Sequence, residues 1–290
     1  MRRAAPAWAL LAVGLCAIGL AACGGGGSSQ GTVSVPKVAA ARVFTLAGFQ
    51  PAQSIVPGRP TPVSFTVQLP SGQPLTQYRT GGGPHTGVHL IIVRDDLAYI
   101  IHQHPPVGPD GVLRTTVRFP APGPYRVLVD VYPNLPGGQP NFQLFRSVQV
   151  SGAYRPRPLP AFKSEQTIDG YRVAMQGHPS LHAIQASFVD VDVRDPQGRK
   201  VTLEPWFGAL AHAIFFHQGS LDYFHTHVCG AGATNCASVL GAARVSGTST
   251  TPGRLTLGVL LPVAGTWRLF LQMKLGGRVV TAPYTLQVAS

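Results

Sequence analysis

Two stretches of this 290-residue chain carry the same histidine spacing. Residues 87–104 read GVHLIIVRDDLAYIIHQH, and residues 210–227 read LAHAIFFHQGSLDYFHTH. In each, one histidine is followed by twelve residues and then by His-x-His, so that His89, His102 and His104 align without a gap on His212, His225 and His227. Neutral imidazole is a good ligand for zinc and for copper, and three such ligands are the usual complement of an open zinc site. The candidate metal ligands are therefore these six residues, and the candidate ions are copper(II) and zinc. A blue-copper centre is not indicated, because no cysteine ligand with a nearby axial methionine accompanies them. The competing reading is architectural, with the histidines as surface groups or as buried groups bonded to backbone carbonyls.

Geometry follows if each stretch is a β-hairpin. A two-residue turn at Asp95-Asp96 sets His89 opposite His102, and one at Gln218-Gly219 sets His212 opposite His225. Directly opposed residues share a face with Cβ atoms about 4.5–5.5 Å apart, and His104 and His227, two positions on, share it too. A slip of one residue would turn His89 to the other face. Each domain then presents a three-histidine cluster, unless the two domains share one site across their interface. His85 lies close enough in sequence to add a ligand; His178, His182 and His217 read as solvent-exposed. Catalytic signatures are missing: there is no Gly-x-Ser-x-Gly, no His-Glu-x-x-His and no phosphate loop. Asp130 and Asp222 are the acids nearest the repeated pattern, and neither is placed as a general acid or base, so the chain reads as a non-enzyme.

The elements that position these residues are strands. Charged residues make up only 12% of the chain, while 34 glycines and 27 prolines punctuate short apolar runs, a composition of strands and turns. Seven candidate strands fall between Val43 and Val150 (Val43–Ala47, Pro62–Gln68, Val88–Val93, Ala98–Gln103, Val112–Phe119, Tyr125–Val131, Phe142–Val150), the count of an immunoglobulin-like sandwich. The second half repeats the plan with Tyr171–Met175, Ala183–Val193, Lys200–Leu203, Ala211–Phe216, Leu221–His225, Arg254–Leu261, Thr266–Lys274 and Arg278–Val288. The fold expected is all-β, two tandem immunoglobulin-like β-sandwich domains at 43–151 and 166–290, joined by a proline-rich linker at 152–165. The repeat continues beyond the histidines: FPAPGPYRVLV from Phe119 matches LPVAGTWRLFL from Leu261, aligning Gly123 with Gly265 and Tyr125 with Trp267. Between the last histidine and this motif the second copy is longer, and the extra residues hold Cys229 and Cys236. In an oxidising compartment these two form a local disulfide in a loop peculiar to the second domain; a two-thiolate metal site is the weaker alternative.

The N-terminus gives the compartment. Arg2-Arg3 precedes an apolar run from Ala7 to Leu20 that is too short for a comfortable membrane span, and then Leu20-Ala21-Ala22-Cys23. This stretch resembles the lipobox of bacterial lipoproteins. The resemblance implies a signal peptide at 1–22 and lipidation of Cys23, placing the protein on the extracytoplasmic side of the cell membrane, held by acyl chains. The Gly-, Ser-, Ala- and Val-rich residues that follow, without periodicity, make 23–42 the lipidated cysteine and a flexible tether. The net charge of +12 is scattered singly, which does not suggest a nucleic-acid partner. The combination Leu97-x-Tyr99-x-x-His102-x-His104-Pro105, followed by Gly123-Pro124-Tyr125-Arg126, resembles uncharacterised bacterial envelope proteins of cupredoxin- or immunoglobulin-like fold that are associated with heavy metals. The second copy, from Leu203-Glu204-Pro205-Trp206-Phe207 through His227, looks like the same module, with Val228 in place of Pro105. The resemblance implies a metal-related envelope role: a lipid-anchored protein that binds copper or zinc for buffering or delivery. The alternative is a non-catalytic structural or protein-interaction module of the envelope that grips a protein partner.

Overall fold

The computed structural model describes residues 43–81, 83–233, 236–240 and 243–290. The expected signal peptide, Cys23 and the expected tether lie outside the described residues. No described residue is helical. The first half contributes β1 (Thr45–Gln50), β2 (Pro60–Gln68), β3 (Val88–Arg94), β4 (Ile100–Gln103), β5 (Val112–Arg118), β6 (Gly123–Val131) and β7 (Phe142–Val150). The second contributes β8 (Glu165–Ile168), β9 (Tyr171–Met175), β10 (Leu181–His182), β11 (Ser187–Arg194), β12 (Ala211–His217), β13 (Tyr223–Gly230), β14 (Ser238–Leu240), β15 (Ala243–Val245), β16 (Gly247–Thr251), β17 (Arg254–Val259), β18 (Gly265–Leu275) and β19 (Arg278–Ala289).

The expected all-β architecture of two tandem immunoglobulin-like sandwiches is present. In the first, a sheet ordered β1-β2-β5 faces one ordered β4-β3-β6-β7, and Phe65, Leu90, Ile92, Leu113, Phe119 and Val127 fill the space between them. In the second, β12, β13, β18 and β19 correspond to β3, β4, β6 and β7, but all the strands except β14 and β15 join one continuous sheet. The join is made by β16, which runs parallel to β13 on one side and antiparallel to β17 on the other. This strand comes from the longer segment of the second copy and, with β14 and β15, was not expected. Two expected strands are corrected. Lys200–Leu203 reduces to a single bridge between Lys200 and Arg194. Ala183–Val193 is interrupted where Ile184 adopts a left-handed φ of 64°, so that only Ser187–Arg194 pairs as β11. The 152–165 segment carries no regular structure until β8 begins at Glu165.

The matched motif does the same work twice. Gly123 and Gly265 take φ values of 125° and 128°, a region that side chains resist. Two residues later Tyr125 Oη donates to the Ala121 carbonyl at 2.9 Å, and Trp267 Nε1 donates to the Val263 carbonyl at 3.0 Å. Each is a buried aromatic anchored four residues back, the corner that starts this strand in immunoglobulin-like domains.

The runs HLIIV and HAIFF contain no alternation because both faces of β3 and β12 are buried. One face of each looks into its own sandwich. From the other face Ile91, Val93, Ile214 and Phe216 meet one another, with Leu97, Leu128, Leu221 and Phe270, in a third core between the domains. Leu159 of the linker packs against it, and the backbone N–H of Arg157 donates to Asp96, which also holds Arg94 in a buried ion pair at 2.6 Å. The sandwiches are thus parts of one compact unit. Removing Phe216, fully buried at this junction, should cost about 3–5 kcal/mol. In Phe216→Ala a urea titration followed by a first-domain probe should shift to lower midpoint together with the second domain. An unmoved first-domain midpoint would show that the domains are not coupled through this core.

Candidate metal centre

Beyond the apolar contacts, the same two strand faces carry the histidines. His89 lies on β3 and His102 on β4, with His104 just past its end, while His212 lies on β12 and His225 and His227 on β13. The register differs by two residues from the two-residue turns expected: Ile91 pairs with His102 and Ile214 with His225, while His212 stands opposite His227. The cause is the hairpin ends. Each closes with four residues, Asp95–Ala98 and Gln218–Leu221, in which Leu97 (φ 59°) and Leu221 (φ 58°) sit in the left-handed region to reach the interdomain core. A shift of two leaves every side chain on its expected face.

The two expected clusters are one. Because the histidine-bearing faces pack on each other, ring nitrogens from both domains meet: His89 Nδ1 lies 3.2 Å from His225 Nδ1, and His212 Nδ1 lies 3.2 Å from His225 Nε2. His102 Nε2 lies 3.1 Å from His104 Nε2. Two sets of three nitrogens close to within 4.8 Å: His89, His102, His225, and His212, His225, His227. His85 joins from the preceding loop, its ring edge-on to His227 with centroids 4.7 Å apart. His178 and His182 are exposed, and His217 bonds Ser220 at the hairpin end.

Outer hydrogen bonds fix the inward chemistry. A carbonyl oxygen only accepts, so His89 Nε2–H donates to Pro84 O (2.8 Å) and His212 Nε2–H to Trp206 O (2.9 Å). The Gln272 amide donates to Thr281 Oγ1, and its oxygen accepts from His102 Nδ1–H at 3.1 Å. A neutral ring whose outer nitrogen carries the proton points a lone pair inward. His225 therefore faces lone pairs on both sides, while a neutral imidazole has one N–H. Burial holds all these rings neutral: His89 and His212 fall to about 3 and His104 to about 2, and His102, His225 and His227 lie well below the ordinary value, desolvation being the first cause throughout. Neighbouring imidazoles come next for His102, His104, His225 and His227, whereas the carbonyl bonds of His89 and His212 oppose the fall. Among the described residues neither ring nitrogen of His227, nor Nε2 of His85, has a hydrogen-bond partner, although buried polar atoms are ordinarily paired.

The surroundings close the site on one side and open it on the other. Phe207 stacks on His104 with centroids 3.9 Å apart, and Trp206 packs edge-on against His102 and His212. This loop approaches the other domain so closely that a Cβ on Gly208 would stand 2.5 Å from the Gly83 backbone, so only glycine fits. Opposite, a polar cleft of about 740 Å³ reaches His85 and His225 between Arg79, Asp130, Tyr223 and Arg244. Asp130 is buried and accepts from Tyr132, Gln143 and Tyr223 at 3.1, 3.1 and 3.4 Å; burial raises its carboxyl pKa. Asp222 lies instead at the exposed hairpin end. Cys229 and Cys236 are disulfide-bonded as expected, which excludes the two-thiolate alternative. Gln272 and the Pro84 and Trp206 carbonyls escaped the sequence reading. One signal for Gln272 was available: in the repeat it aligns with Asp130.

Residues 166–290, the second sandwich, match the model of a domain of unknown function, DUF8832. No curated protein matches the chain. Among solved structures, domains 4 and 5 of the S-layer protein SbsC share 14% identity at a TM-score of 0.23, covering 86% of this chain and 98% of that one. A tetra-tandem repeat of a large adhesion protein shares 11% at 0.26, covering 86% and 49%. Invasin, a bacterial integrin-binding protein, shares 14% at 0.22, and this chain spans 40% of its length. Likeness at these scores carries no functional argument.

Burial of neutral imidazoles sets a pH dependence. The unfolded chain takes up protons below about pH 6.5, the folded His89 and His212 only near pH 3. Stability is therefore full above pH 6.5 and falls as pH drops, by about 2 kcal/mol for each of these two residues at pH 5. With chelator present, the urea midpoint should be flat from pH 8 to 7 and fall steeply between 6.5 and 5. An equal midpoint at pH 7.5 and 5 would mean that the rings are solvated.

Proposed function

We propose that this chain binds a transition-metal ion, copper or zinc, in the histidine cluster between its two sandwiches, and buffers or delivers that ion at the cell envelope without chemistry of its own. One observation carries the reading. His89, His102 and His212 each spend their outer N–H on a carbonyl oxygen and turn a lone pair inward, and two of those lone pairs flank His225 at 3.2 Å. Metal-ligating histidines are oriented by such outer acceptors. Nitrogens bound at 2.0–2.1 Å to one ion stand about 2.9–3.4 Å apart for bond angles between square and tetrahedral, the spacing found here. An all-imidazole set suits copper and zinc over the oxygen-seeking cations. The cleft beside His85 and His225 supplies an entry path. The lipobox-like Leu20–Cys23 supports anchoring to the extracytoplasmic face.

The second reading is architectural, favoured by the position of the cluster at the end of the interdomain core. Calorimetric titration of the full chain, purified in detergent, separates the two. Micromolar or tighter binding of Cu(II) or Zn(II), lost in His102→Ala/His104→Ala/His225→Ala/His227→Ala, is expected. Absence of binding to the wild type, with the variant merely less stable, would leave the histidines as architecture and turn the search to protein partners.

Gln272→Met keeps the volume and removes the acceptor for His102. It should weaken metal binding about 10- to 100-fold while a purely architectural cluster would show only a lower urea midpoint.

A further inference from the structure

We infer that the cluster is built for two metal ions bridged by the imidazole of His225, an inference that rests on the metal-binding reading above. The two ligand sets, His89/His102/His225 and His212/His225/His227, have only His225 in common. That ring turns Nδ1 to His89 and Nε2 to His212. The two nitrogens of one imidazole direct their lone pairs away from each other, so a single ion takes only one of them.

The number of ligands agrees. Zinc-like sites hold about four ligands per ion. Each set has a fourth imidazole at its edge. His104 Nε2 is 3.1 Å from His102 Nε2, the spacing of two ligands on one centre. His85, whose buried Nε2 has no hydrogen-bond partner among the described residues, lies edge-on to His227. Two four-coordinate ions sharing one bridge use seven imidazoles, and seven are gathered here. One ion would use four, and would leave His227 or the His102–His104 pair outside its reach. The first ion binds His225 through one neutral nitrogen. The second takes the other nitrogen as the ring N–H proton leaves to solvent, and the ring becomes a bridging imidazolate.

The test is copper content and spin. The chelator-stripped full chain is loaded with Cu(II) and desalted; metal per chain is measured by elemental analysis and unpaired spins by integrated electron paramagnetic resonance. The expected result is two copper ions per chain with a spin signal well below two, because the bridge couples the pair. His102→Ala and His227→Ala, each folded by its urea transition, should each retain one copper with a full one-spin signal. One copper per wild-type chain with a full signal overturns the bridge and leaves the metal-binding reading standing. Two coppers with two uncoupled spins also overturn it. No retained copper, repeated with zinc, overturns the metal-binding reading itself. The wild-type measurements decide without the variants.

Discussion

The structure depends on a constraint that a single sandwich does not impose: β3 and β12 are buried on both faces. In an isolated immunoglobulin-like domain the outer face of such a strand meets water and carries polar groups. Here Ile91, Val93, Ile214 and Phe216 occupy it, which commits the two domains to each other. Every polar side chain on those faces then loses water as well. Seven imidazoles, six from the two hairpins and His85 from the preceding loop, go into that junction, and each must find a partner or a charge state that the junction tolerates. Apolar contact at one end thus dictates the chemistry at the other.

Imidazole tolerates this better than any other titratable side chain, because its neutral form is available near pH 7 and can donate and accept at once. A chain of neutral rings, each donating to the next, would satisfy the junction without any metal. That chain is not the one present. Outward carbonyls claim the protons of His89, His102 and His212, so the inward side has too many acceptors for the single proton of His225. An excess of inward lone pairs in a desolvated space is destabilising for the protein alone and stabilising for a cation. The apolar walls of Trp206 and Phe207 reinforce both effects by excluding water.

Much of this was legible in the sequence, and the rest was hidden for identifiable reasons. The gapless histidine repeat and the Gly123/Gly265 motif gave the two sandwiches and the shared face. The pairing was off by two because Leu97 and Leu221 look like strand residues; their left-handed conformation exists to seat them in the interdomain core, a long-range demand that local turn chemistry does not announce. The merging of the clusters had one local trace, the unbroken apolar runs after His89 and His212. A strand with one wet face alternates, and these do not. β14 to β16 were missed because the longer segment has no counterpart in the first copy from which to infer its pairing.

The repeat also explains where the site departs from symmetry. Asp130 on β6 pairs with His89 as Gln272 on β18 pairs with His212, so the two occupy equivalent positions and each points toward the junction. Gln272 reaches across to His102. The equivalent reach of Asp130 toward His225 is not taken; tyrosines 132 and 223 and Gln143 hold its carboxylate at the edge of the cleft. The consequence falls on His225. His102 has its outer nitrogen fixed by an amide oxygen, whereas His225 is left with both nitrogens facing imidazoles. A duplicated, symmetric pair of hairpins would have produced two equivalent anchored rings. Replacing one amide by a carboxylate that is held elsewhere leaves one ring unanchored at the centre, and that ring joins the two ligand sets.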